Sequence, residues 1–270
     1  TTVPGPPKRV VSAGLTEHDD LLAVGVVPVA VTNWFGDQPF GVWPWARDEL
    51  GAAKPAVLDL NNGIQVDTIA ALKPDLIVAV NAGLDAATYA KLSAIAPTIA
   101  QSGGEAFFEP WKQQAGAVGD AVFQTEAMAR RIGAVDERFA AVAQADPRFK
   151  DKRVALLSGR FTGDAVSAMG GWRTGFLTEM GFAAPALPNM ISRADLSATL
   201  DSADVLVWLT ENDDEKAGLQ SDPAVAALRA TALKRSVFTT TDLAGAIAYA
   251  SPLSYPVVAE QLPALIGSVL

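Results

Sequence analysis

Cysteine is absent from this chain, and histidine occurs once, at His18. Without thiols there can be no disulfide, no thiolate nucleophile and no zinc ribbon. A single imidazole is too few for the usual zinc enzyme or metal-ion carrier. No window approaches eighteen consecutive apolar residues, so no transmembrane helix is expected. Basic runs are missing too: 21 Lys and Arg stand against 30 Asp and Glu, a net charge of −9 that argues against nucleic acid as a partner. Gly-x-Ser-x-Gly, P-loop and dinucleotide fingerprints are lacking, and Ser158-Gly159-Arg160-Phe161-Thr162-Gly163 has neither their spacing nor their residues. An enzyme is therefore not expected; an α/β enzyme working with carboxylates alone is the remote alternative.

What is present is apolar mass. Half of the 270 residues are hydrophobic, enough for one large α/β domain or two ordinary lobes. The opening TTVPGPPKRV has no charged n-region or apolar h-region, so a signal peptide is expected to be absent or trimmed. Residues 1–8 read as a tether ahead of the first strand.

The stretch VDTIAALKPDLIVAVNAG, residues 66–83, sets the pattern. A short amphipathic helix runs into Pro74, which lacks an N–H and cannot continue it. LIVAV does not alternate polar with apolar, so it reads as a strand buried on both faces. Similar units precede and follow it: RVVSA (9–13), a helix from near Thr16, VPVAV (27–31), a Trp-rich loop over 32–47, a helix over 86–95 and TIAQS (98–102). Strands alternating with helices predict a parallel sheet covered on both faces.

From 110 to 146 there is no strand signal. Val118, Val122, Ala129, Ile132, Val135, Phe139 and Val142 keep a helical spacing that Asp146-Pro147 ends. The spacing predicts one helix roughly 50 Å long. The β-α pattern then restarts with RVALLSG (153–159), a helix over 171–180, VLVWLT (205–210), a helix over 222–233, SVFTTT (236–241) and a terminal helix near 255–268. ADLSATLDSADVLVWLTEN (194–212) echoes the earlier stretch: Asp67 leads to Asp75 and LIVAVN, Asp195 to Asp204 and VLVWLT. The expected fold is α/β, two Rossmann-like lobes with mostly parallel central sheets joined by one long helix. The lobes would be 1–109 and 147–270, with 110–146 linking them. Ligands of parallel α/β sheets lie beyond the strands' carboxyl ends. Two facing lobes would thus line a cleft with Asn81-Ala82-Gly83 and Thr210-Glu211-Asn212.

RVVSAGLTEHDDLLAVGVVPVAVT, VDTIAALKPDLIVAV, KLSAIAPTIA and the long helix before a second lobe resemble the helix-linked (class III) substrate-binding proteins of bacterial ABC importers. These carry ferric siderophores, haem or vitamin B12. WFGDQPFGVWPWARDELG is similar to the actinobacterial ferric-dicitrate-type iron-siderophore lipoproteins, in which a lipidated cysteine and tether precede the domain. The resemblance implies a monomeric, extracytoplasmic, non-enzymatic receptor with no intrinsic cofactor, whose transported ligand is a ferric siderophore; haem or a corrinoid is the alternative. It also implies an acid on each lobe that pairs with arginines of a membrane permease. Those acids fall on Asp67 and Asp195.

Each candidate residue has a plainer reading beside the functional one. Asp67 and Asp195 stand at helix starts, where the macrodipole and capping favour acids, and Ser192-Arg193-Ala194-Asp195 fits a capping box. Trp34, Phe35, Phe40, Trp43 and Trp45 crowd a loop punctuated by Gly36, Pro39, Gly41 and Pro44. These rings either close over the sheet or wall a large flat ligand. Trp34 and Phe35 are expected at the ligand, and Trp43 stays open between the two. In Thr16-Glu17-His18-Asp19-Asp20 the threonine is expected to cap a helix and the acids to fill its first turn; His18 as an axial haem ligand is the minority reading. Glu211-Asn212-Asp213-Asp214-Glu215 reads as a solvated turn, with Glu211 free to face the cleft. Arg160 (with Phe161) and Trp172-Arg173 are loop-end candidates for pairing with a chelate's oxygens. Hydroxamate-binding relatives carry an Arg before the LKPD helix, where this chain has Asn61-Asn62-Gly63. Tyr249, expected in a loop ending at Ser251-Pro252, completes the set.

Overall fold

A computed structural model describes residues 1–104 and 107–270 of the chain. They form two compact units, residues 1–134 with 249–254, and residues 135–248 with 255–270.

In the first unit the chain runs through β1 (Val10–Ser12), α1 (Glu17–Ala23), β2 (Ala30–Thr32), α2 (Arg47–Leu50), β3 (Ala56–Leu58), α3 (Val66–Ala71), β4 (Leu76–Ala79), α4 (Ala86–Ser93), β5 (Thr98–Ala100) and α5 (Trp111–Ala121). α6 (Thr125–Ala145) starts in this unit and ends in the second. The sheet order is β3-β2-β1-β4-β5, parallel throughout, with Val10, Val11 and Ser12 paired to Leu76, Ile77 and Val78. β4 is buried on both faces, as its unbroken apolar run requires. Ile77 and Ala79 enter one core with Ile69 and Leu92, while Leu76 and Val78 enter another with Leu21 and Val118. Lys73 takes a positive φ of 51° to close α3 ahead of Pro74. Because the strand order reverses between β1 and β4, the loops after these two strands open at a switch point, where such sheets bind ligands.

The second unit carries β6 (Val154–Thr162), β7 (Ala165–Ala168), α7 (Gly175–Glu179), β8 (Met190–Ser192), α8 (Leu196–Leu200), β9 (Val205–Leu209), α9 (Asp213–Ser221), α10 (Pro223–Ala226), α11 (Arg229–Ala232), β10 (Ser236–Phe238), α12 (Thr241–Tyr249) and α13 (Tyr255–Gly267). Its order is β10-β9-β6-β7-β8, parallel over the first three strands and antiparallel at β7 and β8. Trp208 of β9 is fully buried in its core, among Leu157, Leu206 and Leu219. Between β1–β5 and this sheet the expected α/β class is met.

Four expected elements differ. The single helix over 110–146 is two, broken at 122–124, where Phe123 adopts φ 60°. Gly119 lies so near Met128 that an added Cβ would stand 2.7 Å from the methionine's own, which fixes how closely the end of α5 meets the start of α6. The helix over 222–233 is likewise divided, into α10 and α11. β6 continues through Arg160 and Phe161 into a hairpin, so these are strand residues and not loop ends. Tyr249 ends α12 instead of standing in a loop. α12 is buried nearly all round, at Leu243, Ala244, Ala246 and Ile247, so it offers no amphipathic period to read.

Candidate functional site

The loop after β1 delivers Thr16 and α1 to the switch point, and the segment Glu17-His18-Asp19-Asp20 there is wholly buried. The acids do fill the first turn of α1 as expected, but they are buried there, and the expected cap by the Thr16 side chain is not made. The Thr16 side chain makes no cap; it accepts hydrogen bonds from Asn81 Nδ2 and Gln114 Nε2, both at 3.1 Å. Glu17 accepts the N–H groups of Asn81 (2.7 Å) and Thr16 (3.0 Å), and its carboxyl carbon would lie 2.6 Å from a Cβ at Gly14, so a side chain there would displace the Glu17 carboxyl group. Asp20 accepts from Gln114 Nε2 at 2.7 Å. Asp19 Oδ2 accepts from Trp45 Nε1 at 2.7 Å and Ser251 Oγ at 2.6 Å.

Burial sets the protonation of this group, because a low dielectric disfavours charge. It raises Glu17, raises Asp20 well above the carboxylate range, and pushes Asp19 up to about 7 against the hydrogen bonds from Ser251 and Trp45. Burial also lowers His18 to about 4, so its ring is neutral at pH 7. Neither ring nitrogen has a hydrogen-bond partner; Nε2 lies 3.8 Å from Asp19 Oδ1, which also lacks one. Being fully buried, His18 presents no nitrogen to a ligand at the surface.

Over this polar floor lies an aromatic assembly. Tyr249, nearly fully buried, sits at its centre, with ring centroids 5.6 Å from His18, 5.8 Å from Trp34, 6.3 Å from Phe35, 5.9 Å from Trp43 and 5.6 Å from Trp45. Trp43 and Trp45 stack at 4.9 Å and 9°. Trp34 meets Phe35 edge-on at 4.8 Å and Phe108 at 5.3 Å. Gly36, at φ 82°, turns the loop where the Trp43 ring fills the space of a side chain, 2.6 Å from an added Cβ. The open question about Trp43 is thereby answered: it is fully buried and closes over the sheet, whereas Trp34, Phe35 and Phe108 remain partly exposed. Burial pushes the Tyr249 hydroxyl pKa upward; the Trp43 indole N–H lies near it without completing a regular hydrogen bond.

Asn81 is a structural residue of this site. It is buried, with Nδ2 on Thr16 and Oδ1 accepting the Phe108 N–H at 3.0 Å, so its side chain is consumed within the fold. Asn61 sits apart from the assembly in an exposed turn, its N–H on Asp59 Oδ1 at 2.9 Å. Asp67 is exposed at the second position of α3; the N-cap is Gln65, so Asp67 is not the cap that its place suggested.

In the second unit Arg160 is exposed on β6 and pairs with Glu215 at 3.4 Å. Glu215 also accepts the Glu211 N–H at 2.8 Å, and Glu211 is raised by burial and by the Glu215 charge. Asn212 caps α9 through the Glu215 N–H (2.9 Å), so the acidic run expected as a solvated turn is a helix start. The Phe161 ring lies 3.7 Å beneath the Arg193 guanidinium, which also pairs with Asp164 and Asp222. Trp172 and Arg173 are half-buried in the turn before α7, and burial lowers the Arg173 pKa. Asp195 is exposed, hydrogen-bonded through its N–H (3.2 Å) and carboxylate (2.6 Å) to Ser192 Oγ, so the local cap is present. Among the described residues no group of three or more His, Asp or Glu could hold a metal ion, and no helix is long and apolar enough to cross a membrane.

Sequence reasoning did not single out Asp19, Gln114, Ser251 or Phe108 as site residues. The one available signal was the density of polar groups directly after a strand, at 16–20.

A family model described as a periplasmic binding protein matches residues 10–243. The crystal structure of a periplasmic solute binding protein from Mycobacterium smegmatis is 60% identical, with a TM-score of 0.98, covering 100% of this chain and 95% of that one. The "Probable siderophore-binding lipoprotein YfiY" of Bacillus subtilis is 38% identical over 101 residues, 36% of this chain and 28% of that protein. The Fe(3+) dicitrate-binding periplasmic protein FecB of Escherichia coli is 29% identical over 181 residues, 67% of this chain and 58% of that protein. The matched stretches thus span less than two thirds of these two relatives.

Proposed function

The chain belongs to the periplasmic binding protein family, and from that premise we propose that it is an extracytoplasmic receptor that binds a ferric siderophore and passes it to the permease of an ABC importer. The observation that carries this reading is the partly exposed set Trp34, Phe35 and Phe108, backed by the buried rings of Trp43 and Tyr249. Rings fixed by a packed base lose little freedom when a ligand arrives, and ligand sites are apolar walls with few polar anchors. Exposed Asp67 and Asp195 are proposed to meet arginines of the permease, and a lipid anchor on the precursor is proposed with them. The names of the two curated relatives, one siderophore-binding and one Fe(3+) dicitrate-binding, support the choice of cargo.

The test is a calorimetric screen of the purified chain against ferric hydroxamate, ferric catecholate and ferric citrate complexes, haemin and cobalamin. Saturable binding of one ferric chelate supports the reading. Binding of haemin alone, with a Soret shift, or of cobalamin alone replaces it.

A further inference from the structure

Asp19 Oδ2 joins two segments that are far apart in sequence. Trp45 Nε1–H reaches it from the turn at 44–46, 26 residues away, and Ser251 Oγ–H from a segment 232 residues away. That second segment, residues 249–254, belongs to the first unit although the chain enters it from α12 and leaves it into α13. Ser251 Oγ accepts the N–H groups of Leu253 (3.2 Å) and Ser254 (2.9 Å), and Ser254 Oγ accepts the Ser251 N–H (2.9 Å). The turn is thus closed on itself and reaches Asp19 through one hydroxyl. Two residues earlier in that segment stands Tyr249, whose ring abuts His18, Trp34, Phe35, Trp43 and Trp45. Trp45, the other donor to Asp19, stacks on Trp43 and abuts Tyr249. A buried carboxylate is a costly way to hold apolar rings together. What it supplies, and apolar packing does not, is direction: two hydrogen bonds accepted by one oxygen fix the rotation of an indole and the seat of a turn.

We infer that Asp19 is a positioning residue for ligand recognition. Its carboxylate orients Trp45 and seats Tyr249, and through Tyr249 it sets the angle of Trp34 and Phe35. The inference rests on the reading of those partly exposed rings as the ligand's wall.

The experiment compares Asp19→Asn and Asp19→Ala in the full chain. It measures near-ultraviolet circular dichroism of the stacked indoles, the thermal midpoint, and affinity for a ferric hydroxamate and for ferric citrate. The asparagine carbonyl oxygen can accept both hydrogen bonds, so Asp19→Asn should keep the native indole signal and hold affinity within about threefold. Asp19→Ala should change the indole signal and weaken affinity tenfold or more at a temperature where it is fully folded. A folded Asp19→Ala with native signal and native affinity overturns the inference, and so does equal loss in both variants. If Asp19→Ala does not fold, Ser251→Ala removes one of the two bonds and leaves both stacked indoles in place. Reduced affinity with an altered indole signal in that variant supports the inference, and native behaviour overturns it. Should the unaltered chain bind neither probe, the functional reading fails, and the circular dichroism pair alone still decides whether Asp19 orients the rings.

Discussion

Asparagine at position 19 should make the protein more stable than the native chain at alkaline pH and leave it nearly unchanged near pH 4. Burial raises the Asp19 carboxyl from 3.8 to about 7, with the neighbouring Glu49 charge adding to the effect. The folded state therefore holds this proton to higher pH than the unfolded chain does. Stability from this group is complete below pH 3.8 and falls as pH climbs toward 7, by about 4 kcal/mol at about 1.4 kcal/mol per pH unit. An amide has no proton to lose. The stability difference between Asp19→Asn and the native chain should grow from near zero at pH 4 to at most about 4 kcal/mol at pH 8. His18 acts in the opposite sense: held neutral with its pKa lowered from 6.5 to about 4, it contributes fully above pH 6.5 and loses that contribution as pH falls to 4. Between pH 4 and 6.5 the two slopes oppose each other in the native chain, and Asp19→Asn removes the Asp19 slope alone. Glu17 and Asp20, both raised, are common to the two proteins and drop out of the difference. Urea unfolding followed by tryptophan emission at pH 4.5, 6 and 8 measures it. A difference that stays constant across these pH values would mean that Asp19 titrates near its ordinary value in the folded chain, and the account of the buried floor would be wrong.

Two other substitutions probe the ring assembly and the surface. Tyr249→Phe removes a buried hydroxyl that makes no regular hydrogen bond, so it should shift stability by no more than about 1 kcal/mol. Tyr249→Ala opens a cavity among five rings and should cost about 3–5 kcal/mol in the same unfolding assay. Asp67→Ala removes an exposed side chain and should change stability by less than about 0.5 kcal/mol. Ligand affinity should be unaffected by it while transport in cells falls; lost affinity with normal transport would refute the docking proposal.

The parts of the fold legible in the sequence are those whose burial leaves a pattern. LIVAV is read correctly because a strand with helices on both faces shows only apolar residues, and Leu76 and Ile77 do enter different cores. The break between α5 and α6 is hidden because Val122 and Phe123 are themselves apolar and keep the helical spacing across the interruption. Thr16-Glu17-His18-Asp19-Asp20 misleads for a different reason. Local chemistry makes it an ordinary polar helix start, and what puts it inside is a set of partners 64 to 232 residues away, Asn81, Gln114 and Ser251. The aromatic cluster is visible in composition, but nothing in its spacing says that Trp43 is buried while Trp34 and Phe35 keep an open edge.

The central claim is that the partly exposed rings Trp34 and Phe35 meet a ferric chelate. Its most direct test is a tryptophan-emission titration of the native chain and Trp34→Ala with one siderophore, iron-loaded and iron-free. The account predicts saturable quenching by the ferric complex, little response to the iron-free compound, and a loss of affinity of tenfold or more in Trp34→Ala with an unchanged unfolding midpoint. Native affinity in folded Trp34→Ala, or equal binding of the iron-free siderophore, would contradict it.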